Sequence, residues 1–324
     1  MKALLCKHYG LPRDLVVEDI PALKPGRGEL VVSVKAAAVN FPDVLMIQNK
    51  YQHKPPLPFT PGYEFAGVVK ACGEGVSGIA IGDAGVAIVR AGGFAEEALV
   101  DASRFWRIPA GVDFVDAAAF PLAYGTSYHA LKDRSGLRAG ETLLVLGAAG
   151  GVGLAAVQLG KLMGAKVIAC ASSDEKLGIC KRYGADETIN YQTANLRDAV
   201  KALTGDRGVD VILDPVGGDY AEAAVRSMAW YGRYLVVGFT AGSIPRIPTN
   251  LALLKGCSIV GVAWDTYSRR DPKGGATNVA ELLAWIKEGK LRPVVSKTYR
   301  LSDAPKALDE VMQRRVQGKV VIVP

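Results

Sequence analysis

From residue 141 to residue 262 the hydrophobic positions alternate between two rhythms. Short apolar runs bounded by glycine or charge, such as 142–146, predict strands buried on both faces of a parallel sheet. The stretches between them carry apolar residues at helical spacing, as with Val152, Ala156, Leu159 and Met163. The alternation returns as strand 166–170 with helix 174–183, strand 188–191 with helix 196–204, and strand 210–214 with helix 220–228. Runs at 233–239 and 258–262 complete six strands, the number of a doubly wound α/β sheet with order 3-2-1-4-5-6.

The rest of the chain has a different pattern. Residues 1–122 hold short strand-like runs at 30–36, 67–71 and 95–100, separated by glycine and proline turns, which predicts a compact β-rich domain. The prolines of 55–61 form a rigid extended loop inside it. After the sheet, 276–287 has Val279, Leu282, Leu283 and Ile286 at helical spacing, and 319–324 closes as a strand. This tail is too small to fold alone and is expected to return to the first domain. The expected division is therefore 1–122 completed by 266–324, with 123–265 as the doubly wound domain.

Between the strand at 142–146 and the helix after it lie Gly147, Ala148, Gly150, Gly151, Val152 and Gly153. Such a loop, nearly free of side chains, brings backbone N–H groups and the positive helix end to an anion. The motif reads Ala148-x-Gly150-x-x-Gly153, departing from G-x-G-x-x-G at its first position, but the strand before and helix after supply the required context. A dinucleotide site usually places a carboxylate at the end of the second strand to bind both ribose hydroxyls. Here that strand runs into Ser172-Ser173, and Lys176 follows one helical turn later. With no carboxylate to repel a 2′-phosphate, and a hydroxyl and a cation to receive one, the sequence favours NADPH over NADH. Ser173 is expected to cap the helix, with Asp174 and Glu175 complementing its dipole.

With 324 residues, 49% hydrophobic and 22% charged, the chain can bury a large core. No stretch nears the roughly 18 apolar residues of a membrane span, and the first residues have no long apolar signal region. The five scattered cysteines, Cys6, Cys72, Cys170, Cys180 and Cys257, predict reduced core thiols and, with the preceding points, a cytoplasmic protein. The net charge of +7 is not gathered into basic runs, so a diffuse field attracting an anionic cofactor explains it without nucleic acid.

Val39-Asn-Phe-Pro-Asp43, Pro61-Gly-Tyr-Glu-Phe-Ala-Gly67, Tyr124-Gly-Thr126, the glycine loop, Asp214-Pro-Val-Gly-Gly218 and Gly318-Lys-Val-Val-Ile322 occur in this order over the whole chain. In them the protein resembles the zinc-free quinone oxidoreductases of the medium-chain dehydrogenase/reductase superfamily. The resemblance implies an α/β protein with a GroES-like β-rich catalytic domain and a doubly wound Rossmann domain. It also implies a cofactor set of Asn40, Thr126, Tyr191, Val216, Gly238, Phe239 and Lys319 beside the loop residues, Ser172 and Lys176. Asn40, Asp43 and Thr126 are expected near the nicotinamide, and Tyr51 as donor to the acceptor oxygen. The zinc alcohol dehydrogenases carry Cys and His where Asn40 and Tyr63 stand, so no metal is expected.

Without a metal to polarise an alcohol, the reaction best served is hydride transfer to an electron-poor acceptor, a quinone or an α,β-unsaturated carbonyl compound. A nucleic-acid-binding or structural role, as in zeta-crystallin-like relatives, is the alternative. The apolar, weakly alternating sixth strand, without charge or proline, predicts an exposed sheet edge and a homodimer formed through it.

Overall fold

The computed structural model describes residues 1–324 and divides into two compact units: Met1–Leu122 with Pro272–Pro324, and Ala123–Asp271. The chain first lays down β1 (Lys2–Leu5), β2 (Val16–Asp19), β3 (Glu29–Ala38), α1 (Phe41–Ile47) and β4 (Glu64–Cys72). It continues with β5 (Ala84–Ile88), β6 (Glu97–Asp101), β7 (Phe105–Arg107) and α2 (Phe114–Ala118). In the second unit α3 (Ala123–Tyr128) runs into a π-helical turn, His129–Arg134, and is followed by β8 (Thr142–Val145), α4 (Gly151–Leu162), β9 (Lys166–Ala171) and α5 (Asp174–Arg182). Then come β10 (Glu187–Asn190), α6 (Leu196–Thr204), β11 (Val209–Asp214), α7 (Tyr220–Arg226), β12 (Met228–Val236), α8 (Asn250–Lys255), β13 (Ser258–Gly261) and α9 (Trp264–Arg270). The chain ends with α10 (Pro272–Lys287), β14 (Val295–Arg300), α11 (Ala304–Met312) and β15 (Lys319–Val323).

The first unit is built around β3. It pairs with β4, β6 and β15, all antiparallel, within a sheet of order β14-β15-β3-β4-β5-β7. A Cβ on Gly67 of β4 would come 2.2 Å from the Ser33 carbonyl oxygen, so glycine is what lets the two central strands approach. The last strand joins this sheet with Val321 opposite Ala38. That pairing supplies the backbone partners the C-terminal tail lacks by itself and carries Lys319 to the end of β3.

In the second unit all six strands are parallel, in the order β10-β9-β8-β11-β12-β13. This is the doubly wound order expected from the sequence, with the reversal between β8 and β11. Helix α4 is buried continuously from Gly153 to Gly160, not along a single stripe, because α3 packs on it as well as the sheet. Strand β12 starts before the expected 233 and ends at Val236, which leaves Gly238 and Phe239 in the loop beyond it. Helix α9 crosses the expected domain break at 265. Trp264 is buried, its ring 6.0 Å from His129, and a Cβ on Gly125 would come 2.5 Å from its Nε1, so the second unit extends to Asp271. No helix is long and apolar enough to cross a membrane.

Candidate active site

In the first unit the chain turns from β3 into α1 at Asn40. Asp43, three residues on, accepts the Asn40 N–H at 2.8 Å, satisfying one of the orphan donors of the helix start. Its other oxygen accepts the Gly62 N–H at 3.1 Å. Gly62 has φ +109 and a Cβ there would lie 2.5 Å from the Phe94 nitrogen, so only glycine can present this N–H. Asp43 is completely buried, and burial pushes its carboxyl up to about 7. Through these two bonds Asp43 ties the start of α1 to the Gly62 turn.

Lys319 is also buried, and its ammonium meets three acceptors: the Val39 carbonyl at 3.0 Å, Glu64 Oε1 at 2.9 Å, and Asn40 Oδ1. An ammonium has three donors, and all three are engaged here, two of them on Asn40 and Glu64. The Asn40 amide is equally committed, donating to Ala38 O at 3.1 Å and Glu64 Oε1 at 2.9 Å. Both of its hydrogens therefore have partners within the first unit. Glu64 Oε2 accepts the Leu122 N–H at 2.6 Å, completing a closed polar core. Tyr51 is half-buried and packs edge-on against Tyr63, centroids 6.3 Å apart at 85°.

In the second unit the remaining candidates lie at the carboxyl ends of the parallel strands, where ligands of such sheets bind. Gly147 follows β8 with φ +57, a conformation that disfavours other residues. A Cβ on Gly153 would meet the Gly147 carbonyl oxygen at 2.3 Å, so this glycine lets α4 pack on the turn. Gly150 is the N-cap, and the N–H groups of Gly151, Val152 and Gly153 open the helix without intrahelical partners. Half-buried Thr126 lies on α3, next to Ser127, whose hydroxyl donates to the Val152 carbonyl at 2.8 Å.

At the end of β9 the Ser173 hydroxyl caps α5 through the Lys176 N–H, and Lys176 Nζ reaches Ser172 Oγ at 3.4 Å. Tyr191 is brought to the same strand end by its N–H bond to the Ala171 carbonyl at 3.2 Å, and its ring packs 4.3 Å from Tyr220. Ser172, Lys176 and Tyr191 therefore gather at one strand end, and the Asp174 carboxylate beside them accepts the Asn190 amide at 2.9 Å. Val216 and Phe239 each lie against a glycine of the neighbouring turns: a Cβ on Gly147 would lie 2.7 Å from Val216 Cγ2, and one on Gly217 2.8 Å from Phe239 Cδ1. Gly238 joins them through its N–H bond to the Asp214 carbonyl at 3.4 Å. Asp214 opens one of the sequence motifs but carries no role there, and Tyr234 belongs to none; together they hold this loop. Tyr234 is indistinguishable in sequence from any apolar strand position.

Residues 26–110 match the alcohol dehydrogenase GroES-like domain family and residues 151–284 the zinc-binding dehydrogenase family. The chain is 41% identical to the quinone oxidoreductase-like protein 2 homolog of Nematostella vectensis, over 99% of this chain and 88% of that one. It is 32% identical to the quinone oxidoreductase of Rattus norvegicus, over 100% and 98%. The structure of Escherichia coli quinone oxidoreductase complexed with NADPH superposes with a TM-score of 0.93 at 27% identity, covering both chains completely. The chain belongs to the quinone oxidoreductase family of the medium-chain dehydrogenase/reductase superfamily, with a GroES-like domain and a Rossmann domain. It is an oxidoreductase. The zinc of the dehydrogenase family's description does not fit the donors here: no three His, Cys, Asp or Glu side chains converge, and Glu64 faces the Lys319 ammonium.

Proposed function

We propose that the protein is an NADPH-dependent reductase that passes hydride to a quinone or an α,β-unsaturated carbonyl compound without metal assistance. The observation that carries the cofactor choice is the gathering of Ser172, Lys176 and Tyr191 at the end of β9, a hydroxyl, a cation and an aromatic ring, with the neighbouring Asp174 carboxylate taken up by the Asn190 amide. In this reading the three take the 2′-phosphate, and the N–H groups of Gly151 to Gly153 take the pyrophosphate. NADPH supplies the hydride. Negative charge that develops on the acceptor oxygen calls for a hydrogen-bond donor. The Tyr51 hydroxyl, on a half-buried side chain packed edge-on against Tyr63, is the donor we assign. An acceptor already electron-poor needs no metal to polarise it.

The partner we infer is a second copy of the chain, paired through β13, in a cytoplasmic enzyme. The test of function is a survey of NADPH oxidation with quinones, enones and enals as acceptors. Oxidation that depends on one of these classes, slowed in Tyr51→Phe, supports the reading. No acceptor-dependent oxidation with any of them would refute it.

A further inference from the structure

We propose that Tyr234 is a positioning residue for the dinucleotide, holding Val216 against the glycine turn by way of Asp214. The inference rests on the NADPH reading above. Asp214 ends β11 and is buried, so its carboxylate needs partners within the protein. Its Oδ1 accepts the N–H groups of Val216 at 2.7 Å and Gly217 at 2.8 Å, and its Oδ2 accepts the hydroxyl of buried Tyr234 from the neighbouring strand β12. The two N–H bonds fold residues 214–218 into a turn that Gly217 and Gly218 permit with φ +66 and +62.

The far side of that turn is tied as well. The carbonyls of Asp214, Pro215 and Val216 accept from the N–H groups of Val237 at 3.0 Å, Thr240 at 3.1 Å and Ala241 at 2.8 Å. Val216 is thereby fixed in place over Gly147, with Cγ2 2.7 Å from where a Cβ on that glycine would stand. The relay runs from the Tyr234 hydroxyl through Asp214 and Val216 to the first glycine of the turn.

A plain core would not need this arrangement, because an apolar side chain could fill the same space without the cost of burying a charge. What a carboxylate adds is a pair of charge-assisted bonds, roughly twice as strong as neutral ones, that aim two successive N–H groups at one oxygen. Burial raises the Asp214 carboxyl, and burial with the adjacent carboxylate raises the Tyr234 hydroxyl, which keeps Tyr234 a donor at neutral pH.

The test is direct titration of NADPH and of NADH by fluorescence into the full-length protein, with the thermal midpoint measured without cofactor. Tyr234→Phe should weaken both nucleotides equally, by about tenfold, because the relay does not involve the 2′-phosphate residues. Asp214→Ala should weaken both further. Asp214→Asn retains an oxygen for the two N–H groups and offers its amide to Tyr234, so it should recover most of the affinity lost in Asp214→Ala. If Asp214→Ala does not fold, Val216→Ala carries the test, since it shortens the relay at its last side chain and leaves the buried polar groups paired. The proposal is overturned if Tyr234→Phe and Val216→Ala bind within about twofold of wild type even where the thermal midpoint falls, which would make the network packing alone. Wild-type protein that binds no NADPH overturns the cofactor reading instead.

Discussion

Lys319 and Glu64, 255 positions apart in the chain, form a buried ion pair with Nζ 2.9 Å from Oε1. The pair joins the last strand to the start of β4 and sets the orientation of Asn40, which both side chains touch. Removing one partner leaves an uncompensated buried charge, which costs about 3–5 kcal/mol. Glu64→Gln and Lys319→Met should each destabilise on that scale in urea unfolding, and the double variant should lose less than the sum of the two. Strictly additive losses would show that the residues do not act as a pair.

Asp43 gives stability a pH dependence of definite sign. Burial raises its folded-state carboxyl from the ordinary 3.8 to about 7. Between those values the folded chain keeps a proton that the unfolded chain releases. Stability should therefore fall as pH rises from about 4 to about 7, at most ~1.4 kcal/mol per unit, and this contribution should be flat above. Denaturant unfolding across this range should show the slope in wild type and not in Asp43→Asn. Parallel curves for the two proteins would remove Asp43 as the cause.

Two glycines of the phosphate turn should respond differently to alanine. A Cβ on Gly153 would stand 2.3 Å from the Gly147 carbonyl oxygen, whereas one on Gly150 meets nothing nearer than 3.5 Å. Gly153→Ala should lower the thermal midpoint without cofactor and weaken NADPH binding by more than about tenfold. Gly150→Ala should leave the midpoint unchanged and weaken binding only if its methyl group meets the pyrophosphate. Equal midpoints for the two variants would contradict the packing described here.

Lys176 separates the two nicotinamides. A charge-assisted phosphate contact contributes about 1.5 to 3 kcal/mol, so Lys176→Ala should raise the NADPH KM by roughly one to two decades. The NADH KM should change little. Steady-state kinetics with both cofactors decides the matter, and an equal rise in both would take Lys176 out of the phosphate site.

Strand β13 lies at the sheet edge, with Ile259 44% exposed and Leu253 and Leu254 of the preceding helix 80% and 67% exposed. An apolar edge without charge or proline invites pairing with another strand. We expect a homodimer by light scattering at micromolar concentration. Ile259→Lys, tolerable on an exposed edge, should convert it to monomer, as should Val260→Pro by removing a ladder donor. A wild-type monomer at that concentration would end the proposal.

The doubly wound sheet was legible in the sequence because its strands are buried on both faces and leave short, nearly continuous apolar runs such as Leu143–Leu146. The glycine turn was legible because backbone geometry there admits few side chains. Local rhythm carries that information, since it depends only on neighbours along the chain. The first unit was harder to read: short strands such as β1, β5 and β7 owe their structure to pairing with distant strands more than to their own pattern. The division at Asp271 is not legible in the sequence because it depends on Trp264 packing against Gly125 and His129, which no window of sequence contains. The site shows the same split. Ser172 and Lys176, one helical turn apart, could be read together; Asn40, Glu64 and Lys319 could not. Which of their donors are already engaged is set by three segments meeting in space. The sequence marks Asn40 and Asp43 as candidates for chemistry, and tertiary structure adds the bonds that tie them to Glu64, Lys319 and Gly62.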